Sequence, residues 1–354
     1  MNGFKVHPQR NKIVAVEEVK ERTTTEDNSV GNHERNTIQK VLLPLIVSMR
    51  ILGLYFEKKN KLRTTRQFSR FYCLFVSVIL WLNFIRILTI FTADSRQQTL
   101  LLNLANTVLM VSGALVHTSC YRASVRGGIL EVLQTFNKDI CPRWANQLRI
   151  KVLILVVIAW SITVFTLISG SYALFSDDGY RNTMLAPFNT IILNSSPLTL
   201  HVVSVLILVL LFYAAGSTCF SLQWNYVLSS IMSHEFKECT KMLCDIIKNS
   251  EAGKLDFEMV RSRHQTLCRL VEKVDDCVCL SNATYVVEFI FVIILYLYRF
   301  MCDPTAMINN PFDLFDCLFW IVSCVFGLSL VARAGIMINQ SVRGVSGYKY
   351  ISFT

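Results

Sequence analysis

The stretch "VLILVVIAWSITVFTLISG", residues 152–170, decides the fold class of this chain. None of its nineteen residues is charged, and apolar side chains would lie on every face of a helix. At about 1.5 Å per residue, such a helix crosses most of the roughly 30 Å hydrocarbon core of a bilayer. A strand of a membrane barrel would instead alternate polar and apolar residues. The stretch therefore predicts a membrane-spanning α-helix.

Five further stretches have the same character, and together they predict an all-α polytopic membrane protein. Of the 354 residues, 53% are hydrophobic and 17% are charged, which exceeds the apolar content of about 45–50% usual in soluble domains. The six predicted spans are residues 71–93, 99–119, 152–175, 198–222, 283–301 and 314–338.

The segments before the first span are of two kinds. Residues 1–40 mix Asn, Glu, Arg and Thr without apolar periodicity, which predicts a disordered cytoplasmic tail without a cleavable signal. Residues 41–70 form a pre-span segment whose apolar part, 41–56, is too short to cross a bilayer. Because Pro44 and Arg50 interrupt it, we expect a helix that lies at the interface or dips into the membrane.

Lysine and arginine residues predict the orientation of the chain. They are concentrated before span one and between spans two and three, whereas the connections 94–98 and 176–197 contain one Arg each. Since cytoplasmic connections carry the excess of basic residues, we expect the N-terminus inside, and six spans return the tail 339–354 to the same side. The glycosylation sequon at Asn194 then lies outside.

The net charge of +10 is explained by the same topology and by attraction to anionic lipid, so no nucleic-acid partner is predicted. The sequence contains no Gly-rich phosphate loop, no His-Glu-x-x-His and no nucleophile elbow, and no carboxylates are predicted to face one another. Cys302 and Cys317, which flank the last outer connection, are the one pair placed to form a disulfide. No enzyme, cofactor or metal site is predicted.

The 60-residue connection 223–282 predicts a cytoplasmic helical hairpin that continues spans four and five. Apolar residues recur at steps of three and four on both sides of Gly253. We expect Val260, Leu267, Val271 and Val274 to contact neighbouring subunits in a multi-subunit bundle. The alternative is that the two arms of the hairpin pack only on each other.

Two segments resemble the insect gustatory receptor family of seven-span chemoreceptors. "LLPLIVSMRILGLYFEKKNK", residues 42–61, is similar to the family's amino-terminal signature. "HQTLCRLVEKVDDCVCLSNATYVVEFIFVI", residues 264–293, is similar to its inner region. The order of these motifs and the predicted topology extend the resemblance over roughly residues 40–340.

The resemblance implies a tastant-gated, non-selective cation channel in the plasma membrane of sensory neurons, with four identical or related subunits around one pore. It also implies a seventh, pore-lining span with Thr-Tyr, five apolar residues and Gln-Phe. Thr284-Tyr285 does not match this pattern, because Glu288 interrupts the apolar residues. We therefore expect residues 341–354 to stand where that span should follow, at a truncated end.

A tastant pocket is expected in the outer halves of the spans. Polar and aromatic residues at that depth are its candidate lining: Arg86, Asn103, Asn106, Tyr172, His201, Tyr296, Arg299 and Trp320. The alternative for each is a hydrogen bond between helices or an interfacial anchor. Two rival functions remain open, a non-conducting regulatory or truncated subunit and a G-protein-coupled receptor with an outside N-terminus.

Overall fold

Seven helices account for nearly all of the chain that the structure describes, and these described ranges contain no strand. The computed structural model describes residues 38, 40–55, 63–88, 97–126, 142–176, 181, 185, 196–248, 254–302, 304 and 310–349. In chain order the helices are α1 (40–51), α2 (Arg63–Leu88), α3 (Gln97–Arg126), α4 (Pro142–Ser176), α5 (Pro197–Lys248), α6 (Lys254–Cys302) and α7 (Pro311–Lys349). The predicted all-α fold is confirmed.

Five of these helices, α2 and α4 to α7, are long and apolar enough to span a membrane. The described part of α3 is not among them. The second of the six predicted spans therefore stays a prediction, as does the orientation of the bundle. The predicted sequon at Asn194 lies outside the described residues.

Large apolar side chains cover the outside of the bundle. Val157 of α4, Ile294 of α6 and Val322 of α7 are 63%, 57% and 66% exposed. A contiguous apolar surface of this extent is rare on a soluble monomer, whereas lipid tails solvate it without cost. Several helices are thus suited to a multi-pass arrangement with their apolar faces toward lipid.

Helix α5 is the centre of the bundle and packs against α2, α3, α4, α6 and α7. Its middle turn, Ala214 to Thr218, consists of small residues that are all buried. Small side chains let neighbouring backbones approach closely, which is the main source of attraction between helices in lipid. At Gly216 the approach is so close that an added Cβ would lie 2.7 Å from Leu52 Cδ2.

Helix α1 packs inside the bundle rather than only along its edge. Trp160 Nε1 of α4 donates to Ser48 Oγ at 3.1 Å, and Tyr72 Oη of α2 donates to the Ile51 carbonyl at 2.6 Å. Leu45 and Met49 are each 1% exposed. Trp160 lies about two turns from the inner end of α4's predicted span, so these contacts favour the dipping alternative for residues 41–56.

Gly53 ends α1 and turns the chain back. Its φ of +69° is a left-handed conformation that costs glycine nothing. Leu54 N–H donates to the Met49 carbonyl at 2.8 Å, and Gly53 N–H donates to the Arg50 carbonyl at 3.1 Å. These two bonds form a Schellman motif, which explains why the apolar stretch stops being helical at "LGL".

Helices α5 and α6 contain 52 and 49 residues, so at about 1.5 Å per residue each is more than 70 Å long. A bilayer core of about 30 Å covers less than half of that length. Both helices continue without a break into the predicted hairpin 223–282. That the hairpin lies in the cytoplasm stays a prediction.

The four residues predicted to contact other subunits lie in the apolar core of one chain. Val260, Leu267 and Val274 are 3–5% exposed, and Val271 packs against the same cluster. Ile231 and Phe236 of α5 belong to this cluster. The two arms of the hairpin therefore pack on each other, and a role of these residues between subunits stays a prediction.

The hairpin is also tied to α4 by stacked rings. Trp144 of α4 and His234 of α5 have ring centroids 4.0 Å apart and planes inclined by 5°. Burial lowers the pKa of His234 below its usual value near 6.5; the carboxylate of Glu238 acts against this shift, and the cations of Lys237 and Lys151 act with it. The ring is therefore mainly neutral at pH 7, and the contact is an aromatic stack.

One prediction near the last helix requires correction. The expected disulfide is wrong, because Cys302 is exposed, Cys317 is buried, and both are free. Cys317 Sγ instead donates to the Tyr296 carbonyl at 3.7 Å. Helix α7 continues past the predicted span end at residue 338 to Lys349, so part of the segment 339–354 is helical, and the place of that segment relative to the membrane stays a prediction.

Replacing Arg263 by Ala is expected to destabilise the hairpin. Arg263 Nη2 donates to Glu235 Oε2 at 3.0 Å across the two arms, and the Glu235 side chain is 11% exposed. Removing one partner costs about 3–5 kcal/mol for a buried pair and about 0–1 kcal/mol for an exposed pair, so this half-buried Arg should cost about 2–3 kcal/mol. Thermal unfolding of the purified protein measures the loss.

Arg261→Ala is the matched control, since Arg261 and its partner Glu258 are 69% and 61% exposed. It should leave the unfolding temperature within error. Equal effects of the two substitutions would show that the pair between Arg263 and Glu235 contributes nothing specific.

Candidate functional site

A cavity of about 140 Å³ lies among α3, α4, α5, α6 and α7. A cavity of about 150 Å³ in a protein interior holds a benzene molecule, so this one fits a small organic ligand. It extends from the end of the bundle where α6 ends and α7 begins, at Arg299 and Asp313, toward the middle of the helices at Gln223. The charge pattern predicts that its mouth is on the outer side.

The start of α7 places two carboxylates at the mouth. Asn310 caps the helix by accepting the Phe312 N–H at 3.2 Å, and Pro311 occupies the first helical position, where its missing N–H is not needed. Asp313 and Asp316 follow three residues apart and so share one face of α7. Both line the cavity.

These carboxylates are held by groups on two other helices. Arg299 Nη2 of α6 lies 3.6 Å from Asp313 Oδ2. Ser169 Oγ of α4 donates to Asp316 Oδ1 at 2.7 Å. Asp316 is only 7% exposed. The mouth of the cavity is thus a polar cluster that joins α4, α6 and α7.

Aromatic rings form the walls between the mouth and the deeper part. Tyr172 and Phe312 have ring centroids 4.0 Å apart, and Tyr296 stacks on Trp320 with centroids 6.4 Å apart. Phe289 completes the wall because Gly327 leaves room for it; an added Cβ at Gly327 would lie 2.5 Å from the Phe289 ring. These rings present apolar faces with large contact area to a ligand.

The deep part of the cavity contains two buried hydrogen-bond acceptors. Glu288 of α6 and Gln223 of α5 are each 3% exposed, and both line the cavity. Gln223 Nε2 donates to the Leu155 carbonyl, and Ser112 of α3 hydrogen bonds to Glu288. Glu288 Oε2 and Gln223 Oε1 have no partner among the described residues. Buried acceptors of this kind are costly unless a ligand or water satisfies them.

The structure brings five of the eight predicted pocket residues together. Asn106, Tyr172, Tyr296, Arg299 and Trp320 all line the cavity. Asn103 belongs to α3, but its side chain lies outside the described residues. The other two, Arg86 and His201, lie elsewhere.

Arg86 is on α2, which does not line the cavity, and its Nε donates to Asn83 Oδ1 at 3.0 Å. His201 is exposed on α5 near Phe175, with ring centroids 6.3 Å apart. A ligand in the cavity would not touch either residue.

Glu288, Asp313, Asp316 and Gln223 were not predicted from the sequence. No carboxylates were singled out from the sequence, whereas in the structure Asp313 and Asp316 both line one cavity. The sequence does contain an indication of two of these residues. Glu288 and Asp316 are acidic residues inside predicted spans, where an ionisable group is energetically costly and normally functional.

The described residues contain no group of three side chains suited to hold a metal ion. No family model matches the chain, and a search of curated proteins also found no match. The function must therefore be inferred from the cavity and from the helices that line it.

Proposed function

We propose that this chain is a chemosensory receptor subunit of the insect gustatory type. It binds a small-molecule tastant in the cavity among α3 to α7 and, assembled as a tetramer with identical or related subunits, opens a non-selective cation pathway in the plasma membrane. The single observation that carries the proposal is the cavity itself, a ligand-sized space within a bundle of membrane-type helices.

The chemistry of the lining supports a ligand site rather than a packing defect. Empty packing defects are apolar, whereas this cavity combines aromatic walls with Arg299, Asp313, Asp316 and Glu288. A few convergent polar groups among apolar side chains are typical of small-molecule sites.

The connectivity of the lining helices supports a receptor that transmits a signal. Both α5 and α6 line the cavity and continue as single helices into the hairpin. A ligand that prefers one arrangement of these helices shifts the equilibrium toward it by its difference in affinity. A displacement at the cavity can thus reach the far end of each helix without crossing a loop.

Ser323→Trp tests the proposal by filling the cavity. Ser323 of α7 lines the space, and an indole ring there would occupy most of about 140 Å³. We expect the variant to reach the cell surface but to lose at least about tenfold in sensitivity to any tastant that gates the wild type. The measurement is patch-clamp recording with a panel of sugars, bitter compounds and small amines, alone and with co-expressed related subunits.

Ser329→Trp is the matched control on the same helix, because Ser329 is exposed on the outer face of α7. It should leave the dose response unchanged. Equal losses in both variants would contradict the cavity as the ligand site.

Ligand binding by purified protein without current under any subunit combination would support a non-conducting regulatory subunit instead. Detection of an N-terminal epitope on intact cells would revive a G-protein-coupled receptor.

A further inference from the structure

The charged groups that line the cavity are unequal in number. Among its described lining residues are three carboxyl groups, Glu288, Asp313 and Asp316, but only one cation, Arg299. Arg299 is already engaged with Asp313 at the mouth. The deeper carboxyl group, Glu288, thus has no basic residue beside it among the lining residues.

Arg299 and Glu288 lie at opposite ends of the cavity, so the excess of acidic over basic groups is greatest at the deep end. Glu288 precedes Arg299 by three helical turns on the same face of α6, which is about 16 Å along the axis. No direct ion pair can form over that separation. A carboxylate taken out of water is costly unless a positive charge or several donors replace its hydration.

Gln223 is a second group in the deep part of the cavity that lacks a hydrogen-bond donor in the part of the chain that the structure describes. Its amide nitrogen is used by the Leu155 carbonyl, so its oxygen is the group left for the cavity. Gln223 Oε1 and Glu288 Oε2 are both buried and both lack a partner among the described residues. Two acceptors in one space select a ligand that carries several N–H or O–H donors.

The walls are suited to a cation as well. Phe289 is next to Glu288 on α6, and Tyr296 and Trp320 stack one to two turns nearer the mouth. The faces of such rings attract positive charge. An anionic ligand would meet repulsion from the carboxyl groups, and a neutral one would leave Glu288 without a positive charge beside it.

We propose that the ligand of this cavity is a small organic ammonium ion, whose N–H groups bind Glu288 and Gln223 while its hydrocarbon part lies between the aromatic walls. The inference rests on the proposed function in one respect, that the cavity is the ligand site. It deepens that function by naming the ligand class, a protonated amine of about the size of a benzene ring.

Three probes of one shape test the charge preference. Benzylamine, benzyl alcohol and benzoate are titrated calorimetrically at pH 7 into the full chain in phosphatidylcholine nanodiscs, and empty nanodiscs correct for partition into lipid. We expect benzylammonium to bind at least about tenfold more tightly than benzyl alcohol, because a charged donor replaces a neutral one. Benzoate should bind more weakly than either.

Glu288→Gln keeps the size of the side chain and removes its charge. It should abolish most of the tenfold preference while changing the affinity for benzyl alcohol by less than about twofold. Glu272→Gln is the control, since Glu272 is exposed on the hairpin part of α6 and should have no effect. If Glu288→Gln does not fold, the comparison of the three probes on the wild-type chain tests the charge preference without any variant.

Equal affinities for benzylamine and benzyl alcohol, tighter binding of benzoate, or a preference that survives Glu288→Gln would each overturn the ammonium proposal. Binding of all three probes with equal affinity would still support the cavity as a ligand site. If none of the probes binds and Ser323→Trp nevertheless abolishes a tastant response, the proposed function stands and the ligand class is wrong.

Discussion

Gly113→Leu is expected to destabilise the helix bundle strongly. A Cβ at Gly113 of α3 would lie 2.8 Å from Ala214 Cα and 3.1 Å from the Ala214 carbonyl oxygen of α5. These are backbone atoms of the central helix, so no side-chain rotation relieves the clash. Inserting larger side chains into a packed core costs about 1–3 kcal/mol, and a backbone contact places this substitution at or above the upper end.

The expected result is a large loss of monodisperse protein in fluorescence-detected size-exclusion chromatography and a lower unfolding temperature of what remains. Gly335→Leu is the control, because no atom lies within 4 Å of a Cβ at Gly335 of α7. Both substitutions replace glycine by the same residue in a predicted span. Comparable behaviour of the two variants would mean that α3 and α5 do not cross at Gly113.

Leu267→Asp is expected to unfold the hairpin even in an isolated chain. Leu267 of α6 is 5% exposed and belongs to the apolar cluster with Phe236 of α5. Replacing a buried Leu by Ala already costs about 2–5 kcal/mol, and an unpaired carboxylate adds the cost of removing a charge from water. Hydrogen exchange of the hairpin amides should rise strongly, while the membrane part retains its protection.

Met259→Asp is the control on the same helix, since Met259 is 53% exposed. It should leave hydrogen exchange unchanged. The comparison also separates the two roles that the sequence left open for the hairpin. If Leu267→Asp lowers only the oligomer fraction and leaves the hairpin protected in the monomer, Leu267 contacts another subunit and its burial within one chain is not the native arrangement.

The membrane helices follow from local sequence, which explains why their places were predicted well. A span is recognised by about twenty apolar residues, and no partner is needed for that signal. The predicted span 152–175 lies within α4, and the predicted hairpin segments lie within α5 and α6. Helix ends are harder to predict, because a helix can continue past its apolar residues without a change that hydropathy detects, as α7 does beyond residue 338.

The cavity was predicted only in part, and the reason is geometric. The sequence shows how deep a residue lies along its helix, and this depth predicts Asn106, Tyr172 and Trp320 as lining residues. The face that each residue presents depends on the rotation of the helix about its axis, and that rotation is set by packing against neighbours. Arg86 has the right depth but lies on α2, outside the ring of lining helices.

By itself the sequence determined the helical class, the central apolar segments, the continuous hairpin helices and the acidic residues inside the spans, because each depends on the chemistry and order of neighbouring residues. Only the tertiary structure decided that α1 packs within the bundle, that Val260, Leu267 and Val274 are buried in one chain, and that Glu288, Gln223 and Asp316 line one space. Gln223 and Glu288 are 65 residues apart in the chain. Their placement in one cavity depends on how α5 and α6 are rotated against each other, and that is set by contacts between the two helices such as the hydrogen bond from Asn225 Nδ2 to Ser281 Oγ, which no local pattern specifies.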